Sequence, residues 1–138
     1  MKKFFMHKTF LSLAAIFGAI AVALGAFGAH GLKKIASAEV VSVFQTGVQY
    51  QMYHTLALLA IAIIYDRLPN KWIKRSGYLF SFGILFFSGS LYLITALNVW
   101  EKSIPALIGI LTPVGGMLFI LGWLSFLIGL LKKPDLER

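Results

Sequence analysis

The side chains best equipped for chemistry are His30 and His54, with Gln45, Gln49, Tyr50, Gln51 and Tyr53 close to the second histidine in sequence. An imidazole pair ligates a metal or a haem iron, and a single imidazole hydrogen-bonds a quinone carbonyl. Against a bound cofactor, the spacing of the two histidines matches no metal-ligand motif, and no carboxylate stands beside them. The competing expectation is that each ring is neutral and satisfied by a backbone carbonyl, a glutamine or a lipid headgroup. Gln45 and Gln49 lie one helical turn apart and share a face. They would line a polar path, dock a partner's backbone or sit in interfacial water. Ser88 and Ser90 flank Gly89, where small hydroxyls either bind a ligand or serve helix packing. His7 sits in a basic tail and is expected at the interface.

Other chemistries lack their residues. Without cysteine there is no thiolate nucleophile, disulfide or Cys-based metal site. No nucleotide loop or Ser/His/Asp arrangement is present, so no catalytic residue, metal ligand set or cofactor is assigned, and the chain is not expected to be an enzyme.

The elements that must position the polar group are dictated by charge. The chain has 138 residues, 13 Lys/Arg and five Asp/Glu, and none of these charges falls in 9–32, 40–65, 76–100 or 103–131. A helical crossing needs about 20 apolar residues, and each stretch suffices. The sequence predicts an all-α, four-span membrane bundle in a single domain, with helices over about 9–31, 46–66, 76–98 and 104–131. No crossing holds an Asp, Glu, Lys or Arg, which counts against a proton-coupled exporter or pump. The net charge of +8 is dispersed in small groups at the ends of the spans, unlike the single basic face of a nucleic-acid binder. Such groups act as topology signals and as contacts for anionic lipid headgroups.

An even number of crossings puts both termini on one side. Lys2, Lys3, Lys8, Arg67, Lys71, Lys74, Arg75, Lys132, Lys133 and Arg138 then share a side, with Lys33, Lys34 and Lys102 opposite. The positive-inside rule places both termini in the cytoplasm. Tyr50, Tyr53, Tyr92 and Trp100 fit an outer aromatic belt, and Tyr65, Trp72 and Tyr78 an inner one.

Two segments invite closer reading. Apolar residues from Leu32 to Gly47 recur near helical spacing opposite polar ones, which predicts a short amphipathic interfacial helix over about 37–46. Ser37 is its N-cap, Glu39 lies in its first turn, and Gly47 is a bend into helix two. The last stretch would span about 43 Å as a helix, more than a bilayer core of about 30 Å requires. Thr112-Pro113 therefore predicts a helix that is broken, or kinked, at Pro113.

Lipid is as apolar as leucine, so close backbone approach at small residues must hold the bundle together. Ala14, Gly18, Ala21, Gly25 and Gly28 form such a seam in helix one. Gly115, Gly116, Gly122, Ser125 and Gly129 supply one in helix four. Helix three offers Gly77, Ser81, Ser88 and Thr95.

Four blocks in order, FGAHGL (Phe27–Leu32), FQTGVQYQMYHTLALL (Phe44–Leu59), FFSGSLYLITAL (Phe86–Leu97) and TPVGGMLFILGW (Thr112–Trp123), make the chain resemble a known family. It is the small, four-span bacterial membrane proteins of YgdD/YwdK type, a domain of unknown function with a similar eukaryotic transmembrane protein. The resemblance implies a bacterial inner-membrane location and the four-helix architecture. It also places His30, Gln45, Tyr50, His54, Ser88, Gly89, Tyr92, Thr112, Pro113 and Gly116 in family signatures. The candidate polar or ligand site is accordingly His30, Gln45, Gln49, Tyr50, Tyr53, His54, Ser88, Tyr92 and Thr112.

The leading expectation is a non-enzymatic scaffold or accessory module that packs against lipid, another copy or a larger complex. The alternatives are a small-solute or ion pathway in an oligomer and a quinone, haem or metal site at His30 and His54.

Overall fold

The computed structural model describes residues 7–135; Lys2, Lys3 and Arg138, assigned above to the basic side, lie outside the described residues. Five helices, α1 (Lys8–His30), α2 (Ala38–Ile64), α3 (Lys71–Gly83), α4 (Gly89–Val99) and α5 (Ala106–Leu131), make four crossings. α3 and α4 are halves of one span, Lys71–Val99, and all four spans are long and apolar enough to cross a membrane. Among the described residues there is no strand.

Helix starts follow local chemistry. The Ser37 hydroxyl accepts from the Val40 N–H at 3.4 Å, with Glu39 in the first turn, as expected. Asn70 caps α3 more fully: its carbonyl accepts from the Trp72 and Ile73 N–H groups, both at 3.1 Å. Its amide also donates to the Gly129 carbonyl at 3.0 Å, tying the start of α3 to the end of α5. After α1 the chain makes a single 3-10 turn, Leu32–Lys34.

Residues 37–46 are helical from Ala38, but they form the first turns of α2 rather than a separate flat helix. Gly47 is therefore not a bend. It is buried because the Tyr92 ring lies against it; a Cβ there would sit 2.9 Å from Tyr92 Cε1. Likewise α5 is continuous, with Pro113 inside it, so the broken version of the last span does not occur. The physical reason is the cost of backbone in lipid. Proline removes one N–H from the helical ladder, whereas a break would leave several groups without partners.

The span Lys71–Val99 holds the feature that the sequence did not announce. Between α3 and α4, Ile84–Ser88 is a π-helical turn, one residue wider than an α turn. There the Phe87 backbone comes against Gly115 of α5 so closely that a Cβ on residue 115 would overlap the Phe87 N and Cα.

Glycines set the α3–α5 interface in both directions. The Phe80 ring of α3 enters at Gly122 of α5, Ile73 of α3 at Gly129, and Phe119 of α5 at Gly83 of α3. The pairs 73/129, 80/122, 83/119 and 87/115 define one antiparallel register, and Ser90 meets Thr112 in the same register. The α1–α2 register is read the same way, from Gly18 against Thr55, Gly25 against Val48 and Gly28 against Phe44. Of the helix-one seam, Ala14, Ala21 and Gly28 are buried. In the α5 seam Gly115, Gly122 and Gly129 are buried, while Gly116 has only ordinary contact with Phe87.

The main core, including Phe10, Phe17, Leu58, Ile61, Ile73, Phe80 and Phe119, lies toward the basic end. A second cluster of Leu32, Val41 and Phe44 closes the other end.

Candidate functional site

α2 turns two faces in opposite senses, and this sorts the polar residues. Gln45, Gln49, Tyr50 and Tyr53 are exposed on its outer side, whereas Gln51 and His54 are buried at 2% and 6% exposure. Gln51 is the residue that the sequence undervalued. Its amide donates to the Phe17 carbonyl of α1 at 2.8 Å, and its carbonyl oxygen accepts from the Tyr92 hydroxyl of α4 at 2.7 Å. One side chain thereby links three spans. Gln51 was legible as inward-facing because it repeats at helical spacing with Phe44, Gly47, His54 and Leu58.

His54 is held on both nitrogens. Nε2 faces the Trp123 indole N–H at 3.3 Å, and Nδ1 faces the Tyr50 carbonyl at 2.8 Å. An indole only donates and a carbonyl only accepts, so the pair of partners selects the neutral ring with its proton on Nδ1. Phe119 stacks on the ring at 3.5 Å with planes 7° apart. The imidazole lone pair that a metal or haem iron would need is already accepting from Trp123. Among the described residues no group of three His, Cys, Asp or Glu could hold a metal ion.

His30 and His54 do not come together. His30 is exposed at the end of α1. The α1–α2 register puts it level with about residue 43 of α2. His54 then lies deeper by about eleven residues, or roughly 16 Å at 1.5 Å per residue. The histidine pair considered above is thus split between the edge and the middle of the bundle, since α2 begins at Ala38 rather than near residue 46.

The remaining candidates fall around the π turn. The Ser90 hydroxyl donates to the Phe87 carbonyl at 2.9 Å and is 2.7 Å from the hydroxyl of Thr112, the residue immediately before Pro113. Ser90 and Thr112 form a bridge between the third and fourth spans. Ser88 is fully buried, and its hydroxyl has no hydrogen-bond partner among the described residues. Tyr50 packs its ring on Phe87 at 4.7 Å, and Tyr53 is 58% exposed.

His7 closes the basic end. Its ring stacks on Phe10 at 4.0 Å and meets Tyr65 edge-on at 5.3 Å. Partial burial, and then the nearby Lys74 charge, lower its pKa below the usual histidine value, against a raising contribution from its backbone hydrogen bond.

Comparison with known proteins gives the same architecture a family. Residues 24–116 match the family described as "Protein of unknown function (DUF423)". The chain is 46% identical to a UPF0382 membrane protein of Staphylococcus saprophyticus, over 91% of this chain and 98% of the relative. It is 39% identical to UPF0382 membrane protein YwdK of Bacillus subtilis, over 91% and 98% of the two chains. With UPF0382 inner membrane protein YgdD of Escherichia coli it shares 41% identity over 88% of each. No solved structure was found to match. The chain belongs to the DUF423 family of uncharacterised membrane proteins.

Proposed function

We propose that this member of the DUF423 family is a non-enzymatic scaffold or accessory module of the bacterial inner membrane, acting through packing of its helices. One observation carries the reading. Buried polar groups are spent on neighbouring spans: Gln51 on the Phe17 carbonyl and the Tyr92 hydroxyl, His54 on the Trp123 indole, and Ser90 on Thr112. Side chains engaged in this way hold an architecture rather than present groups to a substrate. Their surroundings leave apolar surface outward, including Leu107 at 69% exposure and Ile110 at 56% on the early turns of α5.

The inner-membrane location is supported by the name of the Escherichia coli relative. Both termini are assigned to the cytoplasm because Lys8, Arg67, Lys71, Lys74, Arg75, Lys132 and Lys133 gather at the end where α1 starts and α5 stops. Lys33, Lys34 and Lys102 mark the other end. The solute-pathway alternative drew on a discontinuous last helix, and α5 is continuous.

Native mass spectrometry of the protein released from its own membranes in mild detergent tests the reading. A stable complex with another copy or another membrane protein is expected. A bare monomer, under conditions that preserve known complexes, would overturn it. Solute uptake into proteoliposomes above empty vesicles would favour the pathway instead.

A further inference from the structure

The first two turns of α3 carry an arrangement that the bundle itself does not need. Lys71, Trp72, Lys74, Arg75 and Tyr78 line an open groove of about 430 Å³ at the basic end. All three cations are solvent-exposed. A second groove of about 330 Å³ adjoins it, sharing Trp72 and Arg75 as lining, with Leu79, Leu121, Leu124 and Ile128 as its apolar wall between α3 and α5. The Arg75 guanidinium lies 5.7 Å from the Trp72 ring centroid, so the wall the two grooves share is an arginine laid over an aromatic face. The Trp72 indole N–H is buried and has no partner among the described residues. At this helix start the Asp135 Oδ2 accepts from the Lys71 backbone N–H at 2.8 Å.

We infer that this composite groove binds one anionic phospholipid, with its phosphate among Lys71, Lys74 and Arg75 and an acyl chain along Leu79, Leu121, Leu124 and Ile128. Charge complementarity sets the sign of the headgroup. The apolar extension sets the class: a free phosphate or a soluble phosphoester would use only the mouth. Residues 72 to 79 of α3 cover about 10 Å of helix, and 121 to 128 of α5 cover the same length, enough for the upper part of an acyl chain. The α3 N–H groups are already capped by Asn70 and Asp135, so the cationic side chains, not the helix start, hold the phosphate. Trp72 supplies a donor for a headgroup or glycerol-ester oxygen.

The delipidated full chain in detergent is titrated with dioleoyl phosphatidylglycerol and, separately, with dioleoyl phosphatidylcholine, and bound lipids are counted by native mass spectrometry. One phosphatidylglycerol retained in preference to phosphatidylcholine is expected. The variant Lys71→Gln/Lys74→Gln/Arg75→Gln should weaken it by roughly tenfold or more. Lys132→Gln/Lys133→Gln, which removes charge from the same end but outside the groove, should leave it within about twofold. Trp72→Phe keeps the ring and should weaken retention about two- to fivefold. Equal retention of the two lipids would overturn the inference, as would equal loss in the two charge variants. Displacement of the lipid by an equal concentration of inorganic phosphate would also overturn it and indicate a phosphate site. Leu124→Trp fills the apolar part without touching charge, so loss of lipid there, at an unchanged melting temperature, separates a lipid site from a headgroup-only one.

Discussion

The α3–α5 and α1–α2 interfaces both rest on small residues, yet they are built differently. Across α3–α5, Gly83, Gly122 and Gly129 each receive a bulky group, and the exchange runs both ways: Phe80 and Ile73 enter α5, Phe119 enters α3. Across α1–α2 the glycines mostly meet neighbours at ordinary distance, with Gly18 3.6 Å from Thr55 and Gly25 3.5 Å from Val48 by their would-be Cβ atoms. Only Gly28, against Phe44 at 2.9 Å, is tight. The α1–α2 contact relies correspondingly more on one polar link, Gln51 to the Phe17 carbonyl. A regular small-residue seam therefore permits close approach. What enters the recess decides whether the approach locks.

The sharpest way to break this contrast is Gly115→Ala. The new methyl would meet the Phe87 backbone rather than a side chain that can rotate. Overpacking of a core costs about 1–3 kcal/mol, and more where the neighbour cannot move. This variant should lie at or above the top of that range, measured as reversible unfolding in mixed micelles. An effect below about 1 kcal/mol would mean that the α3–α5 register can slide.

Gln51→Leu comes next. It leaves the Tyr92 hydroxyl without its partner, and interhelical hydrogen bonds in membranes are worth about 0.6 kcal/mol on average and about 1.7 at most. A loss in that range is expected, and Gln51→Leu combined with Tyr92→Phe should lose less than the sum of the two single changes. Strict additivity would show that the two side chains do not communicate.

Gly25→Ala should fall near zero or stabilise by a few tenths of a kcal/mol, because alanine is the better helix former and its methyl would meet Val48 at an ordinary contact distance of 3.5 Å. A cost comparable to that of Gly115→Ala would erase the distinction between the two interfaces.

The smallest effect concerns His7. Its folded-state pKa is depressed, so folding favours the neutral ring. That contribution is fully present above the unfolded histidine value of about 6.5 and is lost as pH falls through the lower folded value. The melting temperature should therefore decline modestly between pH 7.5 and 5. His7→Phe, which keeps the ring against Phe10 and Tyr65, should flatten that decline.

The spans were legible because a single charge in hydrocarbon is costly, so Asp66–Arg67 and Glu101–Lys102 had to fall between helices. The Ser37 cap was legible because its signal is local. Gly47 and Pro113 were misleading for a shared reason. Both are read as breakers when considered within their own helix, but lipid penalises any break, and each residue serves a neighbour or is tolerated. His54 could be recognised as special, yet its role depended on Trp123, 69 positions away, which no periodicity connects to it. Exposed Gln45 and Gln49 drew attention by composition, while the working glutamine was Gln51.

The π turn at Ile84–Ser88 also has a genealogical side. Such a turn is what an α-helix becomes when one residue is inserted and the flanking halves keep their places. Removing a single residue from 84–88 would let the span run as plain α-helix with both halves still facing their neighbours, whereas the same deletion inside α3 or α4 would turn everything after it by about 100°. The α3 pairs Phe80/Gly122 and Ile73/Gly129 would be kept, and so would the links of Tyr92 to Gln51 and of Ser90 to Thr112. A one-codon deletion here would thus preserve the bundle on both sides, which makes the turn a natural seam along which lengths can diverge among relatives.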